Sequence, residues 1–278
     1  MANTIYSATG CARCSITKRY MKENHIAYKE VDIKTDGKNE FSRFYRENRA
    51  DIFRDKDGIE FPVFTDGNVI RQGVSVVIGY LRAENRLQGF IRRSALHGEW
   101  LDGIDISGGD PRYTAELIEV LTFLKKNALK IQAVTMGMNS AVLEALLKNN
   151  LVDRVIMEVK GPADLYPLLV EGPVAEDDLE RSIALTSTAP EYRCFTAIVP
   201  VVRASGQIEF ITPEEIGAAA QLIEAAGGSK KQPYFLRPVN PAQCEEERFK
   251  SLEALPSSAF FKYRSAARRY QVMTEIEK

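Results

Sequence analysis

The chain has 278 residues, 45% of them hydrophobic and 27% charged, the balance of a globular protein large enough for two domains. With 37 basic against 38 acidic residues the formal charge is -1, which argues against nucleic acid or a membrane surface as a partner. No apolar run approaches the ~20 residues that a membrane span needs, and no signal pattern precedes the first strand, so a cytoplasmic protein is expected.

In chain order, residues 3–8 read as a strand that runs into Gly10-Cys11-Ala12-Arg13-Cys14 at the start of a helix over 12–24, with Ile16, Tyr20 and Met21 at helical spacing. Two cysteines three apart at a helix N-terminus can close a small disulfide. The unpaired N–H groups and the helix dipole there stabilise the first sulfur as a thiolate, and Arg13 adds a positive charge beside it. The residues themselves therefore suggest a thiol–disulfide site, with Cys11 as attacking thiolate and Cys14 as resolving thiol. A strand over 26–33, a helix over 39–48, a hairpin from Phe61-Pro62-Val63-Phe64 to Val69-Ile70, and a helix from Gly73 to Glu84 follow. A zinc site would need two more clustered ligands. His25, His97, Cys194 and Cys244 are scattered, so no metal site is expected; Cys194 reads as a packed thiol and Cys244 as a solvent-facing one.

Beyond a short helix over 87–96 the pattern becomes strand then helix, repeated. Strands are expected at 103–107, 130–135, 154–159, 193–201 and 232–237, and helices at 114–126, 140–149, 177–186 and 213–226. Such alternation implies a parallel sheet with right-handed crossovers, and five strands make an open or partial barrel. Ligands of such sheets sit at the carboxyl ends of the strands. Those ends carry Ser107, Gly108, Gly109 and Asp110, then Thr135, Gly137 and Asn139, then Glu158 and Lys160, then Arg203, Arg237 and Asn240. Gly108-Gly109 reads either as a tight turn or as bare backbone that approaches a ligand. A last helix is expected over 258–275.

Residues 1–85 resemble a glutaredoxin, a member of the thioredoxin-like fold, through Cys11-Ala12-Arg13-Cys14, Phe61-Pro62-Val63 and Gln72-Gly73. The resemblance implies that Pro62 is cis and faces the active cysteine, and that Arg13, the Phe61 backbone, Pro62 and Gly73 receive the substrate. Residues 101–241 resemble the radical S-adenosylmethionine enzymes, and among them the activating enzymes of anaerobic ribonucleotide reductase and pyruvate formate-lyase. The matching runs are Ile106-Ser107-Gly108-Gly109-Asp110-Pro111, Leu151 to Pro162, and Ile211-Thr212-Pro213-Glu214-Glu215-Ile216. By this resemblance the turn Ser107–Asp110 contacts the amino-acid end of S-adenosylmethionine, with Asp110 in place of a glutamate. The family's three cluster cysteines have no counterpart in residues 82–103.

The expected architecture is thus α/β: a thioredoxin-like glutaredoxin domain (1–85), a linker (86–100), a degenerate partial barrel of radical S-adenosylmethionine type (101–241) and a helical extension (242–278). The expected function is a glutaredoxin-like thiol–disulfide oxidoreductase acting through Cys11 and Cys14 on a thiol or disulfide, free or on a protein. The second domain, with its turn Ser107, Gly108, Gly109 and Asp110 and with Glu158 and Lys160, would bind a ligand or dock on an anaerobic enzyme. No resident cofactor is expected; glutathione is admitted as a partner, whereas S-adenosylmethionine and a 4Fe–4S cluster are not. The alternatives are a redox-sensing adaptor for an anaerobic enzyme, and a radical S-adenosylmethionine enzyme with an atypical cluster.

Overall fold

The computed structural model describes residues 3–56, 58–170 and 174–277, and the chain divides into two compact units between residues 131 and 132. The first unit opens with β1 (Asn3–Ser7), α1 (Ala12–Glu23), β2 (Tyr28–Asp32) and α2 (Lys38–Glu47). A small hairpin of β3 (Arg54–Asp55) and β4 (Gly58–Ile59) follows, unforeseen in the sequence, and then β5 (Val63–Thr65), β6 (Ile70–Gln72) and α3 (Val74–Ala83). The sheet runs β2-β1-β5-β6, with β1 parallel to β2 and antiparallel to β5. Because strand side chains alternate, Ile5 packs on one face with Met21, Phe64 and Val77. Tyr6 packs on the other with Val31, Phe41, Ile52 and Val63.

The helix expected over 87–96 is absent. A 3-10 turn at Glu84–Leu87 leads into extended chain, where Ile91 bridges Ile104. The Asp102 carboxylate accepts the Ala95 and Leu96 backbone N–H groups at 2.7 and 3.1 Å and the Ser94 hydroxyl at 2.7 Å. A side chain that takes successive amide donors offers the backbone an alternative to the helical ladder. Strand β7 (Trp100–Asp105) begins three residues ahead of the expected start, and α4 (Thr114–Lys126) follows as expected.

Strand β8 (Lys130–Thr135) crosses the division. After it come α5 (Ser140–Lys148), β9 (Arg154–Glu158), α6 (Tyr166–Leu169), α7 (Glu176–Thr186), β10 (Glu191–Ile198), β11 (Pro200–Val202) and β12 (Ile208–Phe210). The chain ends with α8 (Pro213–Gly227), β13 (Tyr234–Pro238), α9 (Glu247–Lys250), α10 (Phe260–Ala267) and β14 (Glu275–Ile276). The sheet order is β14-β13-β10-β9-β8-β7, and the pairs from β8 through β14 are parallel. The fold is therefore α/β about a six-stranded sheet, one strand more than expected.

Two departures have local causes. The strand expected over 193–201 breaks because Pro200 has no N–H to donate to a central ladder, and β11 leaves to pair with β12. The long last helix is cut short because Gln271 is drawn to other backbone. Its side-chain oxygen accepts the Gln232 N–H at 3.0 Å and its amide donates to the Ser229 carbonyl at 2.8 Å, so the chain returns as β14. Helix α8 starts where the sequence says it should: Thr212 and Glu215 form a reciprocal capping box with Pro213 in the first turn. Its apolar face, with Ile216, Ala219, Ala220 and Ile223, is fully buried in the core of the second unit. Among the described residues no helix is long and apolar enough to cross a membrane.

Candidate functional site

The turn between β1 and α1 places Cys11 at the N-cap of α1, where its sulfur accepts the Cys14 N–H at 3.1 Å, and the two cysteines are joined in a disulfide. Cys14 is buried and Cys11 half-buried. The Cys11 sulfur lies 3.9 Å from the Phe61 carbonyl oxygen, and the Phe61–Pro62 peptide bond is cis. Behind the turn, the Ser7 hydroxyl donates to Glu30 at 2.6 Å and Lys18 pairs with the same carboxylate. Burial pushes the Glu30 carboxyl up, but Lys18 and Ser7 outweigh it and hold it below the usual range. Asp32, half-buried, accepts hydrogen bonds from the Thr9 side chain and from the backbone of Lys34 and Thr9, which hold its carboxyl below the usual range.

Arg13 does not face open solvent. Its guanidinium donates to Glu60 Oε1 at 2.8 Å, to the Leu96 carbonyl at 2.8 Å and to the Trp100 carbonyl at 2.7 Å, with the side chain only 11% exposed. A buried guanidinium needs such partners, because charge removed from water is costly unless paired. The other Glu60 oxygen is buried without a hydrogen bond, 3.6 Å from Arg93, which in turn stacks on Phe53 at 3.7 Å. A Cβ on Gly73 would stand 3.4 Å from Glu60 Oε1, so the position at which the resemblance would receive a substrate looks onto this carboxylate. Phe61 packs its ring on Phe41 at 5.2 Å. Glu60 is the residue that sequence reasoning missed here; its only signal was an acid directly before an apolar Phe-Pro-Val-Phe run.

The turn after β7 is also filled by its own chain. Gly108 donates its N–H to Asp105 at 3.0 Å. A Cβ on Gly109 would fall 2.0 Å from the Phe90 ring, and one on Gly89 would fall 2.2 Å from the Gly108 carbonyl oxygen. The bare backbone therefore admits a close approach of residues 89–90. Asp110 caps the turn at Pro111–Tyr113 and pairs with Arg112 through both oxygens, which holds its carboxyl below the usual range. In the second unit Glu158 pairs with Lys160 at 2.8 Å, and the Lys160 N–H donates to the Tyr166 hydroxyl. The N-terminus of α5 is occupied as well: Asp178 accepts the Asn139 and Ser140 N–H groups at 2.8 and 2.9 Å. Arg203 is held by Glu209 and Glu215, and Arg237 by Glu277 and the Phe195 ring. Asp178 also escaped the sequence reading, although the acidic run Glu176-Asp177-Asp178 marked a helix start.

The remaining cysteines belong to the second unit. Cys194 is buried in β10, where burial pushes its thiol up to about 12, and Cys244 is half-buried after β13. Among the described residues no group of three His, Cys, Asp or Glu side chains could hold a metal ion. Among the described residues the three thiolates of a 4Fe–4S cluster are thus not gathered.

No family model matches the chain. It is 27% identical over 157 residues to a protein of Methanocaldococcus jannaschii named "putative glycyl-radical enzyme activating enzyme", a match that covers 54% of this chain and 60% of that protein. The chain therefore spans less than two thirds of its relative. Among solved structures it is similar to a domain of pyruvate-formate lyase-activating enzyme from Bacteroides vulgatus ATCC 8482. That likeness has a TM-score of 0.45 and 10% identity, covers 63% of this chain and 98% of the other, and is too slight to carry weight. The sequence similarity overturns the expected glutaredoxin-like oxidoreductase, since it is with a protein named as an activating enzyme of a glycyl-radical enzyme, which fits the alternative of a radical S-adenosylmethionine enzyme better. It also overturns the expectation that no cofactor belongs here, because activating enzymes of that type use a 4Fe–4S cluster and S-adenosylmethionine. The physical reason for the miss is that a Cys-x-x-Cys pair reports the chemistry of one turn, whereas function is set by what the whole chain assembles around it.

Proposed function

We propose that this protein serves the activation of a glycyl-radical enzyme, as a protein of radical S-adenosylmethionine type that binds the glycyl-radical enzyme as its partner. The observation that carries this reading is the 27% identity over 157 residues to the archaeal activating enzyme. We assign the radical S-adenosylmethionine-type part to residues 101–241, supported by the alternation of strand and helix from β7 to β13. Residues 1–85 are read as a thioredoxin-like domain, supported by the sheet order β2-β1-β5-β6 and the cysteine pair at the start of α1. Residues 86–100 link the two domains, and 242–278 extend the second.

Among the described residues no three cluster ligands are gathered. The scattered cysteines favour a second reading, a redox-sensing adaptor that binds the glycyl-radical enzyme without generating the radical itself. The test is anaerobic. The purified protein is mixed with a glycyl-radical enzyme, S-adenosylmethionine and a low-potential reductant, and both the complex and the glycyl-radical resonance are measured. A radical that depends on this protein supports the first reading, and a complex without a radical selects the second. Neither complex nor radical overturns both.

A further inference from the structure

Arg13 is the one side chain in the two-residue bridge of the cysteine pair that can reach beyond the turn, and its three partners lie on two other segments: Glu60, ahead of β5, and the carbonyls of Leu96 and Trp100. Those carbonyls bracket a loop that is itself a closed unit. Asp102 gathers Ser94, Ala95 and Leu96 into it, and Arg92 N–H donates to the Gly103 carbonyl at 2.8 Å across its base. Trp100 is also the first residue of β7, and β7 ends at Asp105, whose carboxylate holds the Gly108 N–H. The disulfide turn is therefore tied to the glycine turn by hydrogen bonds at either end of strand β7, all of it within the first unit.

From this geometry we infer that the Cys11–Cys14 pair is a redox switch on the loop 94–102, read out through Arg13. In the disulfide state the first turn of α1 is pinned by the Sγ–Sγ bond, and Arg13 is aimed at its three acceptors. Reduction breaks that bond: two electrons and two protons pass from a dithiol, which closes to its own disulfide, and two thiols are left. Ionisation of the Cys11 thiol at the helix N-terminus then puts a negative charge in the same turn as Arg13. That charge competes with Glu60 and the two carbonyls for the guanidinium. The bistable element is the loop, held when Arg13 bridges to it and released when Arg13 turns back. This inference does not rest on the proposed role in glycyl-radical enzyme activation, since it concerns only contacts inside the first unit.

Hydrogen–deuterium exchange on the full chain, air-oxidised and after reduction with dithiothreitol, tests it. Peptides covering residues 92–103 are expected to exchange roughly tenfold faster after reduction, while peptides of α8 stay unchanged. The double variant C11S/C14S has neither the bond nor a thiol to ionise, so it should keep the slow pattern with or without dithiothreitol. Arg13→Lys keeps the charge but cannot bridge three acceptors, so its oxidised form should already exchange fast and lose the redox difference. Equal exchange of 92–103 in the two redox states of the unmodified chain overturns the switch. A redox difference that persists undiminished in Arg13→Lys overturns Arg13 as its carrier. Should Arg13→Lys not fold, the comparison of the two redox states and of C11S/C14S still decides the first point.

Discussion

Two strand-to-helix turns, one in each unit, fill their helix N-termini in opposite ways. At α1 the cap is the sulfur of Cys11, a group that can change its charge and its covalent partner. At α5 it is the carboxylate of Asp178, which satisfies the Asn139 and Ser140 N–H groups and has no further chemistry to offer. The same backbone physics, free amide donors at the positive end of a helix dipole, makes a reactive turn in one case and a closed one in the other. A helix N-terminus at the carboxyl end of a strand is therefore a ligand site only if the chain does not supply its own anion first. The glycine turn after β7 repeats the lesson with volume in place of charge, since residues 89–90 occupy the space that its missing side chains open.

The comparison can be broken from either side. The largest effect is expected for Glu60→Ala, which leaves the Arg13 guanidinium buried without its carboxylate. Urea unfolding should show a loss of about 3 kcal/mol, and the double variant E60A/R13A should recover part of it. A loss below ~1 kcal/mol would mean that the two carbonyls suffice to hold Arg13 and that the first turn is not braced by Glu60. Gly89→Ala should come next, at about 2 kcal/mol, because the added Cβ meets backbone 2.2 Å away rather than a flexible side-chain end. An unchanged denaturation midpoint would show that residues 89–90 are not locked on the glycine turn.

Asp178→Ala removes the cap of α5 and should cost about 1 kcal/mol, with Asp178→Asn losing less. If Asp178→Ala were neutral, water would be serving the two amides as well as the carboxylate does. The smallest effect concerns pH. Burial raises the Glu215 carboxyl, but Arg203 and the Thr212 amide outweigh it and leave it below the ordinary carboxyl range. A folded-state value that lies below the unfolded one contributes stability above the ordinary carboxyl value, and that stability is lost as pH falls through the folded value. The contribution is within about 1 kcal/mol for a partly exposed pair. Glu215→Gln should accordingly flatten the acid limb of the stability curve below about pH 4.5 and leave the neutral region nearly parallel; an unchanged acid limb would remove Glu215 from the account.

Much of the fold was legible because it is written in short-range pattern. Helices α1, α4 and α8 and strand β8 lie where periodicity and caps put them, and Thr212-Pro213-Glu214-Glu215 announced a capping box that the structure contains. The cysteine pair was legible for the same reason, since its partners are three residues apart. Residues that decide the character of the site were not. Glu60 finds Arg13 across 47 positions of sequence, and Asp178 finds Asn139 across 39. Similarity to an activating enzyme, not the motif at Cys11, redirected the functional reading.

From its sequence alone this protein's α/β class, its strand–helix alternation and the presence of a cysteine pair at a helix start could be derived, because each depends on side-chain spacing within a turn or two. Tertiary structure alone decided that Arg13 is spent on Glu60 and two carbonyls, that Gly108 and Gly109 are bare to admit residues 89–90, and that α5 is capped from α7. Those outcomes rest on which distant charge or atom arrives first at an unfilled donor or an open face. Local periodicity carries no record of that order.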